Sequence, residues 1–136
     1  MDKVTLGRTG LEVSAVDLVR AAVDRGITFF DTAPAYGTEP IIGAGLAGLR
    51  DRVVISSKTR VNVPGSAFES AELVKPGSIR ESVEASLKAL RTDRIDILHL
   101  HGVRPHQYDY SFNHLAPELL RLREEGKIGF LGAHHE

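Results

Sequence analysis

The sequence has no cysteine and no tryptophan, and neither sign of charge dominates it. Without cysteine, disulfides and thiolate metal sites are excluded. The 17 basic residues are balanced by 18 acidic ones, and no run of Lys or Arg forms a patch that would attract a nucleic acid. No apolar segment approaches the length of a membrane span or of a leader peptide. We therefore expect a soluble, cytoplasmic protein that binds neither nucleic acids nor membranes.

The amino-acid composition is that of one ordinary globular domain. The apolar share of the 136 residues is 42%, which is too high for a disordered chain. No internal repeat beyond a strand–helix unit and no linker divides the sequence. We expect a single domain over residues 1–136.

Short β-branched or aromatic runs alternate with amphipathic stretches along the chain. Two apolar pieces around the glycine-bounded turn 7–10 predict an N-terminal β-hairpin. Strands that alternate with helices form right-handed βαβ units, so the fold class is α/β with a parallel sheet. Strands are expected at 27–30 (short and buried), 53–57 (covered on both faces), 95–101 and 128–131. Helices are expected at 15–25, at 39–49, from a capping box at 78–81 and along an apolar stripe at 115–122, with loops at 60–77 and 102–112.

Ionisable side chains stand at the ends of three consecutive predicted strands. These are Asp31, Lys58 and His101, and Tyr36 lies in the first strand-to-helix loop. In a (β/α) barrel the catalytic residues come from such strand ends, and together the four are more specific than any one of them. Two simpler interpretations remain: Lys58 and Asp31 as a structural ion pair, and His101 as a hydrogen-bonded core histidine.

Several motifs resemble the aldo-keto reductases. They are the pattern Gly-x-x-x-Phe-Asp-Thr-Ala-x-x-Tyr-Gly at 26–37, the Ser57-Lys58 pair, and the segments 6–14, 96–101 and 125–132. The segment 96–101 is most similar to the branch that acts on sugars, such as the galactose dehydrogenases. The resemblance implies a partial TIM (β/α)8 barrel of about four parallel strands, preceded by the hairpin. From the resemblance we expect the first barrel strand and the C-terminal half of such a barrel to be absent from this sequence.

The resemblance also implies a reaction. A carbonyl (an aldehyde, a ketone or a sugar) and an alcohol would be interconverted with NADP(H) or NAD(H). Tyr36 would be the general acid/base, Lys58 would stabilise its phenolate, Asp31 would neutralise Lys58, and His101 would orient the substrate carbonyl. The motifs assign no cofactor-binding residue outside this cluster.

Four strands of an eight-strand barrel leave two edges and one sheet face uncovered. We therefore expect self-association through the open edges and little activity of the isolated chain. One alternative is a metal-dependent barrel hydrolase that uses His99 and His101, and another is a non-catalytic interaction protein on a reductase scaffold. Otherwise His99 is expected to pack beside the site, and His134 to be solvated.

Overall fold

A computed structural model describes residues 3–5, 8, 12–65 and 72–134. Strands β1 (Lys3–Thr5) and β2 (Glu12–Ser14) pair antiparallel, and most of the predicted turn 7–10 between them lies outside the described residues. The main sheet has the parallel order β3-β4-β5-β6. Its strands are β3 (Phe29–Asp31), β4 (Val54–Arg60), β5 (Ile95–His101) and β6 (Ile128–His134). The helices are α1 (Ala15–Asp24), α2 (Glu39–Gly45), α3 (Pro76–Leu90), α4 (Tyr108–Tyr110) and α5 (Ala116–Glu124). The predicted α/β class and partial barrel are confirmed.

The hydrophobic core lies between one face of the sheet and the helices. Ile55 of β4 and Leu98 of β5 are almost fully buried there, as are Ile79 of α3 and Leu119 of α5. The opposite face of the sheet, the inner face of the partial barrel, exposes large apolar side chains instead. Phe29, on β3, is 52% exposed. The expectation that the strand at 27–30 is buried is therefore wrong, because Phe29 faces the exposed inner side and β3, among the described residues, pairs only with β4.

Helix α1 follows its predicted boundaries closely. The Ser14 hydroxyl accepts a hydrogen bond from the Asp17 backbone N–H at 3.1 Å, so Ser14 caps the helix. Gly26, beyond the last turn, has φ +91°, a conformation that favours glycine. Helix α2 is shorter than predicted: it ends at Gly45, and Gly48 has φ +77°.

Helix α3 begins two residues before the predicted capping box. Pro76 is its first residue and Lys75 its N-cap, so the assignment of Ser78 as the cap is wrong. Proline is favoured at the first helical position because the N–H that it lacks has no partner there. The predicted apolar face is confirmed; the buried residues are Ile79, Val83, Leu87 and Leu90. Of the predicted loop 60–77, residues 66–71 lie outside the described part.

The segment 102–112 is largely helical, so the prediction of a loop there is wrong. A 3₁₀ turn at Pro105–Gln107 leads through α4 and a π turn at Ser111–Leu115 into α5. The predicted apolar stripe is only partly buried, because Leu120 is 48% exposed. Within the described ranges, no helix has the length and apolarity needed to span a membrane.

Candidate active site

Three rows of side chains cross the inner face near the carboxyl ends of the strands. Successive strand residues point to opposite faces, so the register of the sheet defines each row. Asp31 pairs with Ser56, Lys58 with His99, and Arg60 with His101. Asp31 therefore lies in the row next to that of Lys58, on the side of the amino ends of the strands.

The Lys58 ammonium is the centre of the cluster. Lys58 is 6% exposed. Its Nζ donates to Asp31 Oδ2 at 2.6 Å and to the Thr32 carbonyl oxygen at 3.0 Å. A buried ammonium is stable only with such partners, and these two give it both a counter-charge and a second hydrogen bond.

The carboxylate of Asp31 is held in its ionised form. Burial raises the pKa of this carboxyl, but hydrogen bonds from Lys58 and from the Ser56 hydroxyl (2.8 Å) oppose that effect. The positive charge of Lys58 and a smaller contribution from His99 act in the same direction, and the pKa lies below its ordinary value. Asp31 is thus an anion at neutral pH, and its side chain is 47% exposed.

Tyr36 lies on the open side of this ion pair. It ends a 3₁₀ turn at Pro34–Tyr36, and Gly37 follows with φ +67°. The phenol ring is 52% exposed, and Lys58 Nζ lies 5.0 Å from its centroid. A cation over the face of an aromatic ring at this distance is attracted by the ring electrons.

His101 completes the cluster from β5. Its ring is edge-on to the Tyr36 ring, with 6.2 Å between centroids and 85° between planes. The structure thus brings Asp31, Tyr36, Lys58 and His101 together. Lys58 is not the last residue of its strand, however, because β4 continues to Arg60 through its pairing with β5.

His99 lies beside the cluster and packs against β6. A Cβ at Gly132 would come within 2.5 Å of His99 Cδ2, so the imidazole occupies the space that glycine leaves. Its Nδ1 is buried and makes no hydrogen bond within the described ranges. The hydrolase alternative requires a third metal ligand near His99 and His101. In the described part of the chain, no group of three His, Cys, Asp or Glu side chains could hold a metal ion.

His134 is the residue at this site that sequence reasoning missed. It is exposed, as predicted, but β6 extends to it and places it in register with His101. The two imidazoles lie 5.7 Å apart. The predicted strand ended at residue 131, three residues too early. With the correct end, the two-residue alternation from Gly132 places His134 on this face.

A family model for the aldo/keto reductase family matches residues 7–133. L-galactose dehydrogenase from Arabidopsis thaliana is 35% identical over 153 aligned residues, which cover 93% of this chain and 46% of the relative. Aldo-keto reductase YhdN from Bacillus subtilis (strain 168) is 36% identical over 127 residues, covering 89% of this chain and 37% of the relative.

Solved structures agree with the sequence comparisons. The aldo-keto reductase AKR11C1 from Bacillus halodurans, in its holo form, has a TM-score of 0.74 at 26% identity, covering 99% of this chain and 50% of the relative. An aldo/keto reductase from Klebsiella pneumoniae, solved with NADP and acetate, has a TM-score of 0.69 at 30% identity. That match covers 88% of this chain and 38% of the relative. The chain thus spans half or less of the length of these relatives.

Proposed function

Since the chain belongs to the aldo/keto reductase family, we propose that it interconverts a carbonyl and an alcohol with NADP(H) or NAD(H) as the hydride carrier. The observation that carries this proposal is the position of the Lys58 ammonium. It is hydrogen-bonded to Asp31 at 2.6 Å and lies 5.0 Å from the centre of the Tyr36 ring. A phenol, an ammonium and a carboxylate in this order can deliver and recover a proton.

The residues present fit the reacting end of a nicotinamide cofactor. No side chain can deliver a hydride, which the nicotinamide supplies when bound. The Tyr36 and Asp31 side chains are about half exposed, so the cluster is open to a ligand on that side. Tyr36 and His101 would flank the nicotinamide and the substrate. The described residues assign no site to the cofactor phosphates.

Tyr36 acts as the general acid in reduction and as the general base in oxidation. Hydride addition to a carbonyl leaves negative charge on oxygen, which takes up a proton as it forms. The Tyr36 hydroxyl donates that proton, and Lys58 stabilises the resulting phenolate. Asp31 keeps the ammonium in place and balances its charge. His101 donates a hydrogen bond to the substrate oxygen and fixes its orientation.

The substrate is a small carbonyl compound or a sugar. The L-galactose dehydrogenase relative, at 35% identity, supports a sugar. NADP is supported by the Klebsiella reductase, which was solved with it. NAD remains the alternative, since the described residues include no site that would read a 2′-phosphate.

We further propose that the reaction needs more strands than this chain has. The exposed side chains on the inner face include Phe130, at 68%, and Val54, at 38%. The alignment with L-galactose dehydrogenase is longer than the chain itself, so part of the relative's aligned segment has no counterpart here. We expect the 136-residue chain to self-associate through this face, to bind NADPH weakly and to have little activity alone.

A chimera that supplies the missing strands allows the proposed chemistry to be tested on its own. In it, residues 15–134 of this chain replace the matching segment of the Klebsiella reductase; we call this the completed-barrel chimera. NADPH-dependent aldehyde reduction should fall at least about 100-fold in Lys58→Met, because the phenolate then loses its cation. The control is Lys88→Met, an exposed lysine near the end of α3. Equal losses in the two variants would contradict the role of Lys58.

Fluorescence titration of the 136-residue chain with NADPH tests the need for more strands. Tight binding to the isolated chain would contradict it. The alternative is a non-catalytic scaffold. It predicts that Lys58→Met leaves the low rate of the chimera unchanged.

A further inference from the structure

A cavity of about 440 Å³ lies next to the catalytic cluster, at the carboxyl end of β4. Its walls come from the turn that carries Tyr36, from the end of β4 and its continuation, and from the N-terminal half of α3. Cavities of about 300–1,000 Å³ typically hold small molecules. The apolar part of the wall consists of Pro34, Ala35, Pro64 and Val74.

The cavity is distinct from the catalytic cluster. Thr59 lines it, whereas Lys58, one residue earlier on β4, belongs to the catalytic cluster. Neighbouring strand residues point to opposite faces, so Thr59 faces away from Lys58. Arg60, the last residue of β4, shares the face of Lys58 but also contributes to the cavity wall at the end of the strand. Thr59 is 1% exposed, and its hydroxyl makes no hydrogen bond among the residues described. A buried hydroxyl without a partner is destabilising, and a ligand oxygen would give it one.

Positive charge and hydrogen-bond donors dominate the polar part of the wall. Arg60, an exposed residue, lines the cavity and forms no ion pair with any described residue. Asn62 Oδ1 accepts a hydrogen bond from Gln107 Nε2 at 2.8 Å, which turns the Asn62 amide into a net donor. No Asp or Glu is among the described lining residues. Negative charge is therefore the complement of this wall.

The N-terminus of α3 adds to this potential. Ser78 and Ser82, in its first two turns, both line the cavity. The N-cap residue Lys75 offers the helix no side-chain hydrogen bond. No carboxylate or hydroxyl among the described residues caps the 15-residue helix, so its N-terminus presents the positive end of its dipole to the cavity.

We propose that this cavity binds a small anionic molecule, a carboxylate or phosphate joined to an apolar body. Arg60 is the counter-charge, Ser78 and Asn62 donate hydrogen bonds, and the apolar body lies against Pro34 and Val74. The proposal concerns a site separate from the reductase chemistry, and it holds or fails whether or not the chain reduces carbonyls.

The test is an NMR titration of the ¹⁵N-labelled 136-residue chain. The probes are hexanoate, hexyl phosphate, hexan-1-ol and inorganic phosphate. Hexanoate or hexyl phosphate should shift the backbone amides of Thr59, Asn62 and Ser78, and the tighter of the two identifies the head group. Hexan-1-ol, which lacks the charge, and inorganic phosphate, which lacks the apolar body, should each bind at least about ten-fold more weakly.

Two variants and a control assign the binding to this cavity. Arg60→Gln should weaken the preferred probe at least about ten-fold, since a hydrogen bond to a charged group is lost. Thr59→Val should weaken it by a smaller factor without loss of folding. Arg52→Gln, at an exposed arginine outside the cavity, should change the affinity less than two-fold. Equal binding of hexan-1-ol, equal binding to Arg60→Gln, or shifts away from the cavity would overturn the proposal.

Discussion

Replacing Asp31 by Asn removes the counter-charge of Lys58 and keeps the shape of the side chain. Lys58 would then keep the Thr32 carbonyl, at 3.0 Å, as its remaining strong partner. Breaking a buried ion pair costs about 3–5 kcal/mol, and an exposed pair contributes about 0–1 kcal/mol. Lys58 is buried but the Asp31 side chain is 47% exposed, so we expect Asp31→Asn to lower the free energy of unfolding by about 1–3 kcal/mol.

Urea denaturation at pH 7 measures this loss. The unfolding midpoint should fall by roughly 1 M. The matched control is Asp51→Asn, which removes a carboxylate that pairs with Arg94 but has a side chain 91% exposed. We expect that control to change the free energy of unfolding by less than about 0.5 kcal/mol.

The pKa of Asp31 determines how the stability lost in Asp31→Asn depends on pH. The pKa of Asp31 in the folded protein lies below its ordinary value, so the folded state holds fewer protons than the unfolded state in mild acid. The stabilisation is therefore complete above about pH 5 and is lost as the pH falls through the folded-state pKa. The difference between wild type and Asp31→Asn should be constant from pH 5 to 8 and should shrink in acid. Losses equal to those of Asp51→Asn, or a difference that grows in acid, would refute this reasoning.

Three further predictions concern packing, charge and association. Gly132→Ala places a methyl group within 2.5 Å of the neighbouring imidazole on β5 and should cost about 1–3 kcal/mol in urea unfolding. Gly77→Ala, which meets nothing within 4 Å, should cost nothing measurable, and equal costs would contradict the packing. Arg80 hydrogen-bonds Glu125 and lowers its pKa to about 2. Their pairing is therefore lost as the pH falls from about 4 towards 2, and Arg80→Gln should flatten the dependence of Tm on pH below 4; an unchanged slope would exclude this contribution. Phe130→Lys puts a charge on the inner face and should raise the monomer fraction in sedimentation velocity, whereas unchanged association would place the contact elsewhere.

Local signals in the sequence predicted the helix ends that depend on neighbouring residues. Ser14 and Gly26 bound α1 because a hydroxyl cap and a positive φ act within one turn. The predicted helix from Ser78 began two residues late because Pro76 also starts helices well. Pro76 and Ser78 are both local signals for a helix start, and the prediction used Ser78, the weaker of the two.

Burial on the sheet and one helical segment both depended on tertiary partners that the sequence does not specify locally. The run 27–30 is apolar enough for a buried strand, but β3 is an edge strand and Phe29 is 52% exposed. The segment 102–112 contains two residues, a glycine and a proline, that favour a loop, yet it forms helical turns before α5. Tertiary packing overrode the local pattern in both cases.

The sequence predicted which four side chains the structure brings together, and it predicted less well where the strands that carry them end. Asp31, Lys58 and His101 stand at the ends of strand-like runs, and parallel strands place such residues at one rim. His134 was missed because β6 continues beyond its apolar part and is held there by pairing with β5. The cavity beside Thr59 combines residues from three elements that are distant in sequence, and no local pattern indicates it.

The central claim is that the Tyr36 hydroxyl supplies the proton for carbonyl reduction. Its most direct test is the rate of NADPH-dependent aldehyde reduction by the completed-barrel chimera with Tyr36→Phe. Tyr108→Phe is the control, since the Tyr108 side chain is exposed to the same degree, 53% against 52%, and lies outside the cluster. We predict that kcat falls at least about 100-fold in Tyr36→Phe and changes less than two-fold in Tyr108→Phe. A kcat for Tyr36→Phe within two-fold of that of the unmodified chimera would contradict the claim.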